Sequence, residues 1–197
     1  RHQENRAFRT ILDLDLAVIE TVSDLAGDAV VLVDHNEPRG FTNAGQVTPL
    51  AVVDHHPGDG AGTRFTDVRP EYGSCATIVA EYLESTGYRP INPDLDAEGV
   101  DRPLPTDVST GLLYGILADT AHLTKGCTAA EFGAASFLYG GVDQEMLDRI
   151  ANPQVDAEVL DVKARAIDRR QVEGPFAVST VGDVSNDQVR VCVAVST

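Results

Sequence analysis

The sequence predicts an α/β fold: a parallel sheet flanked by helices, followed by a linker helix and the first strands of a smaller second α/β domain. Two observations carry this. "AVVLV" at 29–33 and "LAVV" at 50–53 are continuous, largely β-branched apolar runs, the pattern of strands buried on both faces of a parallel sheet. Between and after them lie long stretches with helical spacing of apolar residues, and the 197-residue length allows one full domain and part of another.

Taken in order, "ENRAFRTILDL" and "LAVIETVSDLAG" predict that the first thirty residues are helical, with Gly27 as a stop. Each apolar run then ends in a polar turn, "DHNEPRG" after the first and "DHHPGDG" after the second. "GSCATIVAEYLESTGY" reads as a helix capped by Ser74, with Ile78, Val79, Tyr82 and Leu83 as its apolar stripe. Residues 88–105 are rich in proline and aspartate and read as a loop. "DVSTGLLYGILADTAHL" is an apolar helix ending near Asp119, and "CTAAEFGAASFLYGG" opens on a Thr128–Glu131 capping box. "DQEMLDRIAN" is a further short helix. The expected organisation is a catalytic domain over 1–153, a charged linker helix over 154–173 and the start of a second domain over 174–197. The last segment reads as two strands around a Ser-Asn-Asp turn, too little to fold alone.

Composition narrows the function. The chain carries 31 acidic and 15 basic residues, a formal net charge of −16, and only Lys125 and Lys163 are lysines. Such a surface suits a high-salt cytoplasm, where self-repulsion is screened; an ordinary acidic enzyme is the alternative. It argues against a duplex-DNA partner, which needs a basic surface. The three cysteines, Cys75, Cys127 and Cys192, are far apart and odd in number, so neither a disulfide framework nor a zinc ribbon is expected. No apolar run reaches membrane-spanning length, and a cytoplasmic location is expected.

The chemistry concentrates at the two strand ends, "VVLVDHNE" and "LAVVDHHP". In an open parallel sheet ligands bind at the carboxyl ends of the strands, so two Asp-His pairs would converge on one crevice. Asp and His hold divalent cations such as Mn²⁺, Mg²⁺, Co²⁺ or Zn²⁺, and a carboxylate between two such ions suits hydrolysis of a phosphate. A single Asp after a strand is ordinarily a turn residue or helix cap; two in parallel positions, one followed by His-His, favour the site. Asp119 is a third candidate, because a carboxylate at a helix C-terminus opposes the helix dipole and needs another reason to be there.

"VVDHHP" resembles the signature of the DHH phosphoesterase superfamily, "LVDHNE" its preceding acidic motif, "GSCAT" its glycine-serine helix start and "GILADT" its following Asp motif. The match spans about residues 30–125. Its members include manganese-dependent inorganic pyrophosphatases, oligoribonucleases that also cleave 3′-phosphoadenosine 5′-phosphate, exopolyphosphatases and single-strand exonucleases. The resemblance implies that Asp34 bridges two metal ions and that His55 and Asp119 complete one ion's shell. It implies that His56 faces the substrate phosphate and that Asp54 orients a histidine. It places Ser74, His35, Asn36 and His122 around the substrate, with Glu37 near the first metal, and offers the phosphate the helix N-terminus at 74–77. Two ions, Mn²⁺ by preference with Mg²⁺ or Co²⁺ as alternatives, are the implied cofactors.

The superfamily's first motif, a His followed by Asp-x-Asp after the first strand, has no counterpart. "LDLDLA" contains Asp13 and Asp15 but follows no strand and has Arg9 where the histidine should stand. The chain is therefore expected to begin after that motif and to end before the second domain's substrate clamp, with weak or no activity by itself. The expected function is a divalent-metal phosphoesterase acting on short single-stranded oligonucleotides or nucleotide phosphates. The "HQENRAF" stretch and the "GSCAT" form lean that way. A manganese-dependent pyrophosphatase or exopolyphosphatase, and an inactive nucleotide-binding regulatory module, are the alternatives. A homodimer is left open.

Overall fold

A computed structural model describes residues 3–25, 27–40, 42–60, 62–92 and 99–184. The chain divides into two compact units, one of residues 15–147 and one of residues 1–14 with 148–197.

The 15–147 unit is α/β. Its sheet has three parallel strands in the order β1 (Val31–Val33), β2 (Ala51–Asp54), β3 (Phe65–Val68). Val31 pairs with Ala51 and Val53 with Asp67, so the register runs unbroken to Asp54 opposite Val68. β2 is central and buried. β1 is not the central strand its sequence predicts: among the described residues it pairs on one side only, and Val31 and Val33 stay about half exposed. β3 had no apolar signal in "FTDV"; it is a polar edge strand with Phe65 exposed and Thr66 hydrogen-bonded to Thr63.

Three helices pack on one another, α2 (Cys75–Ser85), α3 (Thr106–Asp119) and α4 (Ala129–Tyr139), and α2 also packs on β2. They enclose Ala80, Leu104, Leu113, Ile116, Ala134, Leu138 and Val142. Burial of each large aliphatic side chain stabilises by about 1.5–3 kcal/mol. A second cluster, Val53, Cys75 and Ile78 with Tyr72 and Tyr82 against it, lies where α2 packs on β2. The segment predicted as a plain loop over 88–105 instead forms a two-residue parallel pair, β4 (Arg89–Pro90) with β5 (Pro103–Leu104). Leu104 is buried there and fixes the entry to α3.

The helix predicted over 16–27 does not form among the described residues of that segment. Residues 14–20 are irregular, Thr21 makes a bridge to Thr42, and only Val22–Leu25 make a 3₁₀ turn. The cause is local: the Asp24 carboxylate accepts the N–H groups of Glu20 (3.0 Å) and Thr21 (2.9 Å), giving the backbone partners a helix would have supplied. Those donors also hold the Asp24 carboxyl below its ordinary value.

In the other unit, α1 (Gln3–Ile11) and α6 (Ala157–Asp168) share a polar tie: Gln3 and Arg6 both donate to Asp156, at 3.0 and 3.3 Å. α5 (Gln144–Ala151) crosses the unit boundary. α6 is shorter than the linker predicted over 154–173, because an antiparallel hairpin of β6 (Gln171–Glu173) and β7 (Phe176–Val178) starts within it, turning at Gly174 with φ 58°. The Ser-Asn-Asp turn at 185–187, and Cys192, lie outside the described residues. Among those residues, no helix is long and apolar enough to cross a membrane.

Candidate metal centre

The carboxyl ends of β1 and β2 deliver Asp34 and Asp54 side by side. Asp34 closes the β1 ladder with its N–H on the Val53 carbonyl (3.0 Å) and then turns left-handed, φ 63°. That conformation costs an ordinary residue roughly 1–2 kcal/mol; aspartate is among the few that tolerate it. Asp54 ends β2 with its side chain fully buried. Its Oδ1 accepts the N–H groups of His55 (2.7 Å) and His56 (3.1 Å), an aspartate turn that swings both imidazoles out of the strand direction.

The same Oδ1 accepts Nδ1–H of His56 at 2.9 Å. This bond chiefly raises the His56 pKa, helped by the nearby charges of Asp54, Asp34 and Asp119 and opposed by burial. Burial works to raise the Asp54 pKa, but the hydrogen bonds from His56 and His55 outweigh it and hold the carboxyl low. Oδ2 of Asp54, equally buried, has no hydrogen-bond partner among the described residues.

His55 is oriented differently. Its Nδ1 lies 3.2 Å from the Tyr72 carbonyl, which can only accept, so the proton is on Nδ1. Nε2 then presents its lone pair to Asp34 Oδ1 at 3.3 Å. Two acceptors facing each other at that distance need a proton or a cation between them. Asp34 records the same crowding: burial first, then repulsion from Asp119, raise its pKa against the pull of His55 and His56.

Asp34, Asp54, His55 and His56 each offer a ligand atom within 4.8 Å of the others. Asp119 stands outside that group, exposed at the end of α3, but its charge acts on both Asp34 and His56. A set of carboxylates and a lone-pair imidazole, one oxygen of it buried without a partner, fits a divalent cation by donor chemistry.

The remaining sequence-predicted residues have distinct settings. Asn36 donates to the carbonyls of His56 and Pro57, both at 3.2 Å, and so braces the turn after β1 against the turn after β2. Gly58 makes room for that brace, since a Cβ there would run into the Asn36 amide. His35 folds back on the Asp34 carbonyl and stays exposed, and Glu37 pairs with Arg39 at the surface. Neither belongs to the ligand group. Ser74 is buried and caps α2, its Oγ accepting the Ala76 N–H at 3.1 Å. His122 is exposed in a left-handed turn, Ala121-His122-Leu123, wound around the buried Thr120. Thr120 accepts from Leu123, Thr124 and Lys125, and its hydroxyl donates to the Ile116 carbonyl at 2.6 Å. Cys75 is an inert thiol, pushed up to about 11 chiefly by burial.

Three supports act through bonds that no local pattern in the sequence announces. The Tyr72 carbonyl holds His55 from seventeen residues away. Arg69 donates its N–H to the Asp54 carbonyl at 2.9 Å. Glu131, buried in the α4 capping box, sends Oε1 to the Gly73 N–H at 3.0 Å and so pins the loop that opens α2. Spacing found Glu131 as a cap, but nothing local in a sequence encodes a bond across 58 residues.

No protein-family model matches the chain. An uncharacterized protein of Methanocaldococcus jannaschii is 29% identical over an alignment of 192 residues that covers 94% of this chain and 36% of that protein. An exopolyphosphatase-related protein of Bacteroides fragilis superimposes with a TM-score of 0.58 at 15% identity, over 77% of this chain and 45% of that one. A candidate family II inorganic pyrophosphatase of Methanococcus jannaschii superimposes with a TM-score of 0.54 at 21% identity, over 84% of this chain and 51% of that one. The chain shares their α/β fold. It spans about a third of the curated relative and about half of each solved structure.

Proposed function

We propose that this chain carries the metal centre of a DHH-type phosphohydrolase. The observation that carries the reading is the convergence of Asp34, Asp54, His55 and His56 at two adjacent parallel strand ends, with a buried carboxylate oxygen left unpartnered. Asp34 and His55 would hold the cation through Oδ1 and Nε2, with Asp119 adding charge from the end of α3. Divalent cations at such a centre supply an activated water and offset the charge of the reacting phosphate.

The protein's own groups have separable tasks. Asp54 fixes His56 through Nδ1 and keeps it protonated to higher pH, so Nε2–H is ready to bind a phosphate oxygen and pass a proton to a leaving group. The start of α2 would offer an anion the positive end of its helix dipole. Asn36 keeps the two strand-end turns in register, so the imidazoles and Asp34 stay aligned.

Two substrate classes fit. Short single-stranded oligonucleotides or nucleotide phosphates come first, supported by the resemblance of "GSCAT" and "HQENRAF". Inorganic pyrophosphate is the second, supported by the likeness to the candidate pyrophosphatase. Hydrolysis by the full-length protein in Mn²⁺, Mg²⁺ or Co²⁺, with the nucleotide and phosphate products resolved by ion-exchange chromatography, separates them. The first reading expects turnover of a dinucleotide and of 3′-phosphoadenosine 5′-phosphate to exceed that of pyrophosphate, and a chelator to abolish all three. Faster pyrophosphate cleavage selects the second. Nucleotide binding without metal-dependent turnover would make the domain a regulatory module instead.

A further inference from the structure

The carbonyl that orients His55 belongs to a turn locked by one arginine. Arg69 begins the turn by donating its N–H to the Asp54 carbonyl, and the Tyr72 N–H closes it on the Arg69 carbonyl at 3.0 Å. The guanidinium forks onto Asp67 through Nε (2.8 Å) and Nη2 (2.7 Å). Its Nη1 reaches Glu81 Oε2 (2.5 Å) and the Tyr72 hydroxyl (3.3 Å). Glu81 Oε1 accepts the Tyr72 O–H at 3.0 Å, and Tyr82 bonds Asp67. The cation also lies over the rings of Tyr72 and Tyr82, 5.1 and 5.9 Å from their centroids. β3, α2 and the intervening turn therefore meet on a single side chain, whose own exposure is 24%.

We propose that Arg69 is a positioning residue of the metal centre. By clamping Tyr72 from both its main chain and its hydroxyl, it fixes the carbonyl that keeps the His55 proton on Nδ1 and the Nε2 lone pair towards Asp34. The inference rests on the metal-centre reading for its functional consequence, but the tautomer it predicts does not depend on any ion. Arginine is required rather than lysine, because only a planar fork can satisfy Asp67 with two bonds and still reach Glu81 and the tyrosine.

The test is the two-bond ¹⁵N–¹H spectrum of the histidine side chains in metal-free protein, alongside Mn²⁺ titration calorimetry. Wild type is expected to show His55 as a single Nδ1–H tautomer. Arg69→Met should shift it towards the Nε2–H form and weaken Mn²⁺ binding by about 10–100-fold, the usual cost of losing a group that orients a ligand. Arg69→Lys, which keeps a cation between Asp67 and Glu81 and so protects the fold, should give a smaller shift in the same direction. Tyr72→Phe, which keeps the carbonyl but frees the ring from Glu81, should do likewise. An unchanged tautomer and Mn²⁺ affinity in folded Arg69→Lys and Tyr72→Phe overturns the proposal. Wild type that binds no Mn²⁺ overturns the metal-centre reading instead, and the tautomer still decides the role of Arg69.

Discussion

Asp34→Asn is expected to weaken Mn²⁺ binding by at least about 100-fold, more than the loss of an orienting neighbour would cost, and to abolish metal-dependent phosphate release. The metal-free protein should be no less stable than wild type. Both halves follow from one geometry. Asp34 faces the His55 lone pair at 3.3 Å, and burial and the charge of Asp119 raise its pKa. Without a cation its negative charge is a liability; with one it is the ligand on which the others converge. Asparagine keeps the shape and, like aspartate, tolerates φ 63°, so the backbone turn should survive. Titration calorimetry and a thermal melt in chelator read the two effects separately. Retained affinity, or a large loss of metal-free stability, would assign Asp34 a purely structural role.

Glu131→Ala is expected to destabilise the protein by about 3 kcal/mol, because hydrogen bonds to a charged group contribute roughly 1.5–3 kcal/mol each and the half-buried Thr128 and Gly73 would lose theirs. Glu131 is fully buried. Oε2 accepts the N–H and O–H of Thr128, at 2.6 and 2.7 Å, and Oε1 accepts the Gly73 N–H. Glu131→Gln keeps one good acceptor and should lose less. The pH dependence has a definite sign. Burial works to raise the Glu131 pKa, but the bonds from Thr128 and Gly73 outweigh it, so the folded value lies below the ordinary 4.5. The stabilisation is thus fully present above pH 4.5 and is lost as pH falls through the folded value. Urea unfolding of wild type and Glu131→Gln, compared at neutral pH and below pH 4.5, should show the difference between them shrinking as pH falls. A difference that stays constant would remove the carboxylate from this account of the loop.

The parts of this molecule legible in its sequence are those encoded by neighbours. β1 and β2 announce themselves as apolar runs, α4 by its capping box, and the candidate ligands Asp34, Asp54, His55 and His56 by Asp-His pairs at strand ends. What stayed hidden depends on partners distant in sequence or on side chains that compete with the backbone. β3 is polar because Asp67 answers Arg69 and Thr66 answers Thr63, so its pattern resembles a loop. The segment around Ile19 and Val22 has helical periodicity, yet the Asp24 carboxylate captures the amides and the chain bridges to Thr42 instead. Within the candidate site, the motif marks the residues that converge but not what aims them. The Tyr72 carbonyl acts through a backbone atom that every residue possesses, so no residue type could have marked it. Arg69 in "DVRPEYG" reads as one more surface charge until the fold brings Asp67, Glu81 and Tyr72 around it.

The most direct measurement is anomalous diffraction at the manganese edge from crystals of the protein soaked in Mn²⁺. The metal-centre reading predicts a peak within about 2.0–2.4 Å of both a carboxylate oxygen of Asp34 and Nε2 of His55, absent from Asp34→Asn crystals treated identically. A well-ordered site with no peak there, or with manganese held only elsewhere on the acidic surface, would contradict it.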